Sequence, residues 1–552
     1  MKTTILSPNF GVLLLALCCS SAFAAPAEHK EFDATLHAPF QGKQDARRTF
    51  SLNFSYPGLE RPGTVYWKLE LLDPQGRVVQ RWRGSKAIAG QDVAVQVAWD
   101  GRLKGRAAPA GLYRVRMRAI LRGVPDGDGQ DDDHAVEQDW QIAVGAPPAP
   151  RMPRFAPLPG MRELDANGAT AGMAPATASL PYTVYLGNLH SQSKHSDGGG
   201  ALDDCKGAQE PGKGRYGPEA AFAYARGRGL DILAVSEHNH MYDGSDATDA
   251  DADPATARDL YQAGLASAAA FNATKPGFLA LYGMEWGVIN NGGHINIFNS
   301  DALLGWETNA LGELLADTRT PRSDYAALYT LMRARGWVGQ FNHPAHSGQF
   351  KVNGVPLAYH PDGDEAMVLC EVMNSTAFST NDTETERRRS NFEQACNRLL
   401  EAGYHLAFST NQDNHCANWG ASYTNRTGVL LPNGTALTRD SFVAALQARR
   451  VFATMDKGSQ LVFTANGKLM GERFTNRGPL TLRTHFASSA GKKVAAVSIM
   501  EGVPGRNGTV TEASNLAETS FTPAPGRHFY YAKVTQDDGK VLWSAPVWVA
   551  QE

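Results

Sequence analysis

Between residues 181 and 415, short apolar runs recur along the chain, and each is followed at once by histidine, aspartate, glutamate or asparagine. Runs such as TVYLGNLH, DILAVSEHN and FLALYGMEW have the length and apolar composition of buried β-strands. Segments of helical character lie between them, for example GPEAAFAYARGRG, with Pro218 in its first turn and Gly229 at its end. Alternating strands and helices are typical of an α/β fold, so we predict a parallel barrel or sheet over residues 181–455.

The polar residues gather where each predicted strand ends. In a barrel of parallel strands, the carboxyl ends of the strands build the active site, so we expect these side chains to converge. Asp413 and His415 are two residues apart on an extended segment and point the same way, which lets them bind neighbouring metal ions. The candidate residues at the strand ends are His190, Asp197, Glu237, His238, Glu285, His294, His343, Asp413 and His415.

Most of these side chains offer imidazole or carboxylate donors, which suit zinc, manganese or iron, and a carboxylate can bridge two ions. A single histidine at a strand end is more often a hydrogen-bonded structural residue than a metal ligand. Burying many such groups together without a cation would cost much free energy. We therefore predict a metal centre where these strands end.

The regions on either side of the middle segment have a different pattern. Residues 31–145 contain short alternating runs such as TFSLNFSY and LYRVRMRAIL, separated by turns, which predicts an N-terminal β-sandwich. Within it, the stretch from Ala98 to Ala119 resembles the Ig-like repeats of flagellar hook-capping proteins, with their WDG…PAGxY pattern. Residues 456–552 return to short strands, which predicts a C-terminal β-sandwich.

Two further kinds of segment carry no chemistry in our interpretation. Residues 146–180 are rich in Pro, Ala and Gly, so we predict a linker or a strap along the surface. The acidic runs at residues 126–133 and 243–253 lack the pattern of a calcium-binding loop between two helices. We interpret both runs as solvated loops.

Residues 1–24 have the pattern of a secretory signal peptide. Lys2 precedes the apolar run GVLLLALCC, and a small-x-small cleavage site follows at residues 22–24. The run is far shorter than the roughly 20 residues that a membrane-spanning helix needs. A lipoprotein anchor on Cys18 or Cys19 is the alternative. We expect a secreted or periplasmic protein that does not span the membrane.

The cysteines beyond this segment are Cys205, Cys370, Cys396 and Cys416, and four cysteines can pair in three ways. Cys205 and Cys416 lie near predicted metal-site loops, which favours that pair in an oxidising compartment. Cys370, in the apolar run MVLCEV, could equally be a buried free thiol. The net charge of −3 and the lack of a basic stripe with aromatic residues argue against a nucleic-acid partner.

The strand-end motifs resemble those of PHP-domain (polymerase and histidinol phosphatase) hydrolases. GNLHSQSKHSDGG resembles their opening motif DLHxHTxxSDG, and LDILAVSEHN resembles their second motif, LDxLAVTDHN. GMEW carries their strand-end glutamate, FNHP their mid-barrel histidine and QDNH their closing D-x-H. With the GHINIFN element, the set is most similar to the secreted carbaryl-hydrolase branch (CehA/McbA type), over about residues 181–455.

This resemblance implies a distorted seven-stranded barrel that holds two or three divalent ions of zinc, manganese or iron. Carried over by position, the ligands would be His190, Asp197, His238, Glu285, His343, Asp413 and His415, with His294 as an additional one. Gln192 stands where the family has a second histidine; it stays a candidate ligand through its weaker carbonyl oxygen, and His195 could take its place. Glu237 replaces the family's aspartate, and we interpret it as a catalytic-site residue that orients His238 or a neighbour.

The resemblance also implies metal-assisted hydrolysis of a small-molecule ester. Phosphate mono- or diesters are the first substrate class, and carbamates, carboxyl esters or amides are the second. A third hypothesis, from Gln192 and the flanking sandwiches, is a non-catalytic binding protein with a degraded metal site. His294 or His346 would protonate the leaving group.

Other polar residues flank the predicted centre. Lys194 and Arg215 are the basic residues nearest the opening motif and could hold a phosphate. The remaining residues either orient the substrate or cap loops, and capping is the simpler interpretation; they are Asn239, His240, Asn342, His346 and Asn374.

Overall fold

A computed structural model describes most of the chain. The described residues are 32–42, 46–56, 59, 61–123, 134–146, 149–160, 180–205, 210–289, 292–322, 324–344, 351–352, 355–356 and 358–552. The predicted signal peptide, the acidic run at 126–133, most of the predicted linker and His346 lie outside them. Among the helices in these ranges, none has both the length and the apolar character needed to cross a membrane.

The N-terminal region consists of two antiparallel sheets, with strand orders β1-β2-β5 and β4-β3-β8-β9, and a hairpin β6-β7. The two sheets contact through aromatic side chains, such as Phe50 with Trp82 and Trp99 with Tyr113. The strands are β1 (Asp33–His37), β2 (Arg48–Ser55), β3 (Gly63–Leu72), β4 (Val78–Ile88), β5 (Val93–Trp99), β6 (Arg102–Leu103), β7 (Arg106–Ala107), β8 (Gly111–Arg122) and β9 (His134–Val144).

The middle region mixes strands with helices. Its elements are β10 (Tyr182–Asn188), α1 (Pro218–Gly227), β11 (Ile232–His238), α2 (Pro254–Thr274), β12 (Leu279–Trp286), β13 (Ile295–Ile297), β14 (Leu304–Gly305), β15 (Thr318–Arg319), α3 (Tyr325–Arg335), β16 (Gly339–Phe341), β17 (Lys351–Val352), β18 (Val355–Pro356), α4 (Pro361–Ala366), β19 (Met367–Ser375), β20 (Arg389–Asn391), α5 (Glu393–Ala402), β21 (Ala407–Asn411), β22 (Arg426–Pro432), α6 (Arg439–Gln447) and β23 (Val451–Thr454).

The helix boundaries follow local signals in the sequence. The Asp253 side chain accepts a hydrogen bond from the Ala255 backbone N–H at the start of α2. Pro254, the first residue of the helix, has no backbone N–H that would need an acceptor. The Asp324 side chain caps α3 in the same way. Gly336 ends α3 with φ 69°, a left-handed conformation that glycine adopts without steric cost. These caps set where the chain turns back towards the sheet.

The middle strands follow one another in the order β22-β10-β11-β12-β13-β16-β19, and β21 pairs with β19. The two ends of this path also meet. The Thr427 hydroxyl of β22 donates to the Thr410 carbonyl of β21 at 3.0 Å and accepts from the Thr410 N–H at 3.0 Å. The sheet therefore curls so that its first and last strands contact each other.

Strand direction only partly matches the predicted parallel α/β arrangement. β10, β11 and β12 are parallel, as are β16, β19 and β21. β13 and β22 run antiparallel to their neighbours β12 and β10. Over the described residues the protein is mostly β-sheet with few helices. The α/β prediction is thus met only in part, because short hairpin-like connections replace some of the expected helices.

The C-terminal region continues the middle sheet. β23 pairs with β22 and with β32 (Val541–Ser544), so the backbone hydrogen bonds cross the boundary predicted near residue 455. A second sheet has the order β25-β24-β27-β30. The strands are β24 (Ser459–Ala465), β25 (Lys468–Leu469), β26 (Arg473–Asn476), β27 (Leu480–Ser488), β28 (Val494–Gly502), β29 (Thr511–Ser514), β30 (Glu518–Phe521), β31 (Gly526–Gln536), β32 (Val541–Ser544) and β33 (Val547–Gln551).

Candidate metal centre

Histidines and carboxylates from the strand ends converge in the middle region. Their ligand atoms form three overlapping groups, and within each group all the atoms lie within 4.8 Å of one another. The groups are His190, Glu285 and His343; Asp197, His238 and His415; and His238, Glu285 and His294. We call these seven residues the ligand cluster. All seven are buried, and Glu285 and His238 each belong to two groups.

The strands explain why these residues meet. His238 and Glu285 are directly paired in the parallel register of β11 and β12. His190 follows β10, His294 precedes β13, and His343 follows β16. A curled sheet brings these adjacent strand ends towards one centre. The structure therefore gathers the predicted residues by strand order rather than by nearness in the sequence.

Asp413 lies against the same cluster. The Nε2 atom of His190 is 3.0 Å from Asp413 Oδ1 and 2.9 Å from Glu285 Oε2. Asp413 and His343 both have positive φ angles, 49° and 23°. Asp and His tolerate this region better than most residues, but it still costs free energy and is found mainly at functional sites. His343 in the ligand cluster and Asp413 beside it therefore have a backbone conformation that costs free energy.

Glu371 is a site residue that the sequence interpretation missed. Its Oε1 lies 3.3 Å from His190 Nδ1 and accepts from Asn411 at 3.0 Å. Its Oε2 accepts from the His343 backbone N–H at 2.8 Å and from Asn374 at 3.2 Å. A carboxylate on the second nitrogen fixes the orientation of a metal-binding imidazole. The available signal was an acid in a wholly buried strand, where an unpaired charge would be costly.

The two oxygens of Glu285 are also held by amides. Gln192 Nε2 donates to Glu285 Oε2 at 2.7 Å, and Asn342 Nδ2 donates to Oε1 at 2.7 Å. The side-chain oxygen of Gln192, Oε1, accepts from the Ser196 hydroxyl at 3.3 Å. The structure thus shows Gln192 as a donor to a candidate ligand, with its carbonyl oxygen directed to Ser196. Asn342 has the same relation to Glu285, and its amide also donates to Asn296 Oδ1 at 2.8 Å.

Glu237 and His195 form hydrogen bonds with residues outside the ligand cluster. The Glu237 carboxylate accepts from the Ser193 N–H at 2.9 Å and from the Ser196 hydroxyl at 2.6 Å, so it holds the loop that carries Asp197. Burial raises the pKa of Glu237 to about 7. His195 Nδ1 lies 2.8 Å from the Tyr282 hydroxyl. Of the two predicted alternatives for Glu237, orienting His238 or orienting a neighbour, these contacts favour the second.

The electrostatics of the cluster are those of carboxylates and imidazoles compensating one another. Burial alone would lower the pKa of His190, but the carboxylates of Asp413, Glu285 and Glu371 raise it well above its usual value. For His415, burial is outweighed by Asp197 and Asp413, and the pKa rises to about 9. Burial would raise the pKa of Glu285, yet three imidazoles lower it well below the usual range. The site therefore requires positive charge, which protonated imidazoles or a bound cation can supply.

Hydrogen bonds join the opening motif to the closing one. The Asn188 side chain donates to Asn414 Oδ1 at 3.1 Å, and the Gln192 N–H donates to the Asn414 carbonyl at 2.9 Å. The Trp419 ring N–H donates to the backbone carbonyl of Gln192 at 2.8 Å. Asn414 and Trp419 were not among the candidates, since an asparagine or tryptophan carries no sign of such a partner. These bonds fix the spacing between His190 and His415.

Two disulfides reinforce the same region. Cys205–Cys416 links the loop after Asp197 to the residue after His415, as the sequence pattern favoured. Cys370–Cys396 joins β19 to α5, so the alternative of a free Cys370 thiol is wrong. Cys370 directly precedes Glu371 in the sequence, and α5 contacts β19, the strand that carries both residues. Both disulfides are compatible with an extracellular or periplasmic location.

The remaining candidates have structural partners. Asn239 donates to the Leu304 carbonyl at 2.9 Å and accepts from the Gly287 N–H at 3.2 Å, as a loop cap would. Lys194 and Arg215 are exposed, and Arg215 lies over the ring of Tyr216. The described contacts thus give these two cations no role at the ligand cluster.

A small cavity lies beside the cluster. His240 forms one wall; its ring is 5.9 Å from that of His238 and stacks on Trp306 at 5.8 Å. Asp243 and Glu307 also line the cavity, and burial raises the pKa of each. Asp246 Oδ1 is 3.9 Å from His240 Nε2. The surroundings of this cavity are therefore acidic and aromatic.

Comparison with known proteins does not assign this chain to a family. No family model matches it, and no curated protein matches it. A solved two-domain protein of Bacteroides vulgatus, containing a predicted PHP-like metal-dependent phosphoesterase, is 15% identical over 69% of this chain and 100% of its own, with a TM-score of 0.32. An FMN-binding β-glucuronidase of Faecalibacterium prausnitzii is 10% identical over 95% of this chain and 74% of its own, with a TM-score of 0.17. Similarities at this level define neither a fold nor an activity.

Proposed function

We propose that the protein is a secreted or periplasmic metal-dependent hydrolase with a PHP-type barrel. The observation that carries this proposal is the ligand cluster, in which three overlapping groups of buried imidazole and carboxylate atoms lie within 4.8 Å. Six of the seven ligands carried over from the family motifs belong to this cluster, and the seventh, Asp413, lies 3.0 Å from His190. The curled path from β22 to β21 supports the barrel, and the two disulfides support the compartment.

The donor set fits two or three divalent ions of zinc, manganese or iron. His190, Glu285 and His343, with Asp413 nearby, would hold one ion, and Asp197, His238 and His415 would hold a second. A third ion would lie at Glu285 and His294; His238 would serve either this ion or the second, because a neutral imidazole has one free lone pair. Bound ions of this kind supply Lewis acidity and lower the pKa of a water towards about 7.

The chain's own residues prepare the site. Glu371 orients His190, and the amides of Gln192 and Asn342 hold Glu285. His294 Nδ1 lies 3.1 Å from Glu285, so its position favours holding an ion over protonating a leaving group. His346, the other predicted proton donor, lies outside the described residues.

Phosphate mono- or diesters remain our first substrate class. Two adjacent ion positions suit a reaction in which both the attacking and the leaving oxygen need stabilisation. Carbamates, carboxyl esters or amides are the second class, and one observation favours them. Asp243 and Glu307 line the small cavity beside the cluster, and Asp246 lies 3.9 Å from His240 in its wall; negative charge there would disfavour a phosphate dianion more than an uncharged ester.

The experiment is elemental analysis of the purified chain, followed by parallel assays with p-nitrophenyl phosphate, its diester, and naphthyl carbamate and acetate. We expect two or three tightly bound ions per chain and turnover of one ester class. Asp413→Asn should lose metal and activity together. The matched control is Asp364→Asn, which removes a buried carboxylate paired with His405 outside the cluster.

Two outcomes would contradict the proposal. Fewer than one ion per chain, after zinc, manganese and iron have all been supplied, would favour a binding protein with a degraded site. Equal metal loss in the Asp413 and Asp364 variants would mean that the metal is not held by the ligand cluster.

A further inference from the structure

A second cavity, separate from the ligand cluster, lies in the N-terminal region. It is a groove of about 1060 Å³, formed by β1, β2, β4, β5 and the β6-β7 hairpin together with Arg387. Ligand pockets usually have volumes of about 300–1,000 Å³, so the groove is large enough for an extended ligand. None of the proposed metal ligands lines it.

The groove is positively charged although the chain as a whole is not. Arg47, Arg102, Lys104 and Arg387 line it and are exposed, and Asp100 is the acid among the lining residues. The whole chain carries a net charge of −3, so this concentration of cations is local. Clefts lined by charges of one sign attract ligands of the opposite sign. The groove therefore suits an anion.

His37, another residue that lines the groove, lies near cationic side chains. Burial lowers its pKa, and the guanidinium groups of Arg389 and Arg387 lower it further, to about 4. Arg387 thus contributes positive charge beside His37 as well as to the groove lining, in addition to the cations of β2 and the β6-β7 hairpin. A ligand with several anionic groups along its length would match this distribution better than one with a single anionic group.

The rest of the lining is polar and aromatic. Gln41, Gln80 and Gln96 contribute amides, and Thr49 and Ser51 contribute hydroxyls. Amides and hydroxyls both donate and accept hydrogen bonds, which suits a ligand rich in hydroxyl groups. Trp82 is half-buried, with its ring edge-on to Phe50 at 5.9 Å, and offers an aromatic surface for a sugar ring.

One wall of the groove is rigid before any ligand binds. The buried Arg48 guanidinium donates to the carbonyls of Phe40 at 3.1 Å and Ala143 at 2.7 Å, and it lies over the Trp99 ring at 5.6 Å. These contacts fix β2 and β5 relative to the neighbouring loop. Preorganisation of this kind reduces the ordering cost of binding.

We propose that this groove binds an acidic oligosaccharide, one whose sugar rings carry carboxylate or sulfate groups. Single-stranded nucleic acid is the other polyanion to consider, but its binding sites use successive aromatic side chains as stacking platforms. Here one half-buried tryptophan lies among amides and hydroxyls, which favours a ring with many hydroxyls. The proposal does not depend on the hydrolase activity.

The test is calorimetric titration of the full chain with a galacturonate tetramer and with a sulfated heparin-derived tetrasaccharide. Cellotetraose is the neutral control. We expect at least one acidic oligosaccharide to bind at least about tenfold more tightly than cellotetraose, the effect of one charge-assisted contact. Its affinity should fall as NaCl rises from about 0.1 M to about 1 M, which shortens the Debye length from about 10 to about 3 Å. The two acidic probes distinguish carboxylate from sulfate recognition.

Variants locate the site. The double variant Arg102→Gln with Lys104→Gln should weaken binding by about tenfold or more. Its matched control is Arg83→Gln with Lys86→Gln, which removes two exposed cations from β4 outside the groove and should leave affinity unchanged. Trp82→Ala should weaken binding of both acidic and neutral sugars, with thermal unfolding measured alongside to confirm that the domain is folded.

Four results would overturn the proposal. They are no binding of either acidic tetramer, equal affinity for cellotetraose, equal losses in the groove variant and its control, and tighter binding of a single-stranded oligonucleotide of equal charge. The last result would show that the groove recognises polyanions of a different class.

Discussion

The N-terminal sheets and the middle sheet differ in the burial of their polar residues. In β2, every second residue is buried and the residues between are at least partly exposed. In β11, β12 and β19, every residue is buried, including Glu237, Glu285 and Glu371. A polar side chain on the first kind of strand is solvated at little cost, whereas one on the second kind requires partners. Several buried polar residues close together at adjacent strand ends therefore indicate the site, whereas the exposed polar residues of β2 are available to solvent or a ligand.

The largest expected contrast is between two glutamates. Glu285→Gln removes a carboxylate shared by two groups of the ligand cluster, and we expect loss of metal and an activity decrease beyond about 100-fold, the upper effect of an outer-shell partner. Glu70→Gln removes a buried carboxylate in β3 that pairs with exposed Arg81. It should lower the free energy of unfolding by no more than about 1 kcal/mol and leave metal content unchanged. Equal metal loss in both would remove the contrast.

A smaller effect is expected at Glu371, which orients a ligand without belonging to the cluster. Glu371→Gln should reduce metal affinity or activity by about 10–100-fold, measured by competition with a chelator. Glu401→Gln is the control, because that buried carboxylate accepts from the backbone of residues 508–510 in the C-terminal region. The control should lower thermal stability alone. A Glu371 variant with unaltered metal affinity would limit that residue to a packing role.

The disulfides differ in the length of chain that they close. Cys205–Cys416 spans 211 residues and Cys370–Cys396 spans 26. Loop-closure entropy predicts that replacing the first pair by serine lowers the free energy of unfolding by about 2 kcal/mol more than replacing the second. Only the first pair bridges two ligand-bearing loops, so its loss should also speed metal release. Denaturant titrations of the metal-free chain would measure the difference in the free energy of unfolding. The rate of metal release would be measured separately in the folded variants, and equal rates in the two variants would refute the predicted effect on release.

The smallest effect is expected in the C-terminal region, where buried His528 pairs with partly exposed Glu501, with Nδ1 to Oε1 at 2.8 Å. The hydrogen bond to Glu501 raises the pKa of His528, and the same bond lowers that of Glu501. The pair therefore stabilises the fold above the unfolded pKa of the glutamate. That stability disappears as pH rises through the raised pKa of the histidine. His528→Gln should remove this dependence, at under about 1 kcal/mol, in melts between pH 5 and pH 9. An unchanged pH profile would show that solvent screens the pair completely.

Much of the candidate site was accessible from the chain alone. His190, His238, Glu285 and His343 end predicted strands, and the structure brings them together. Glu371 was missed because it lies inside an apolar run rather than at a strand end, although an acid within such a run already indicates a buried partner. Gln192 was considered only as a ligand, since its bond to Glu285 depends on a residue 93 positions away.

The fold shows the same division. The alternating pattern of β2 and the caps of α2 and α3 are local, so the sequence indicates them directly. The antiparallel direction of β13, and the continuation of the sheet from β22 through β23 into β32, depend on pairing between distant segments. Hydrophobic periodicity carries no information about which edge a strand will join.

The sequence by itself determined which residues end buried strands and which chemistry they offer, because burial and donor type are properties of a residue and its near neighbours. Only the tertiary structure decided which atoms meet. His190 faces Glu285 on one ring nitrogen and Glu371 on the other, across 95 and 181 residues of chain. The charged groove is likewise a product of assembly, since Arg387 joins residues 37–105 to complete it. Such contacts arise from packing, which sets distances between groups that no local pattern relates.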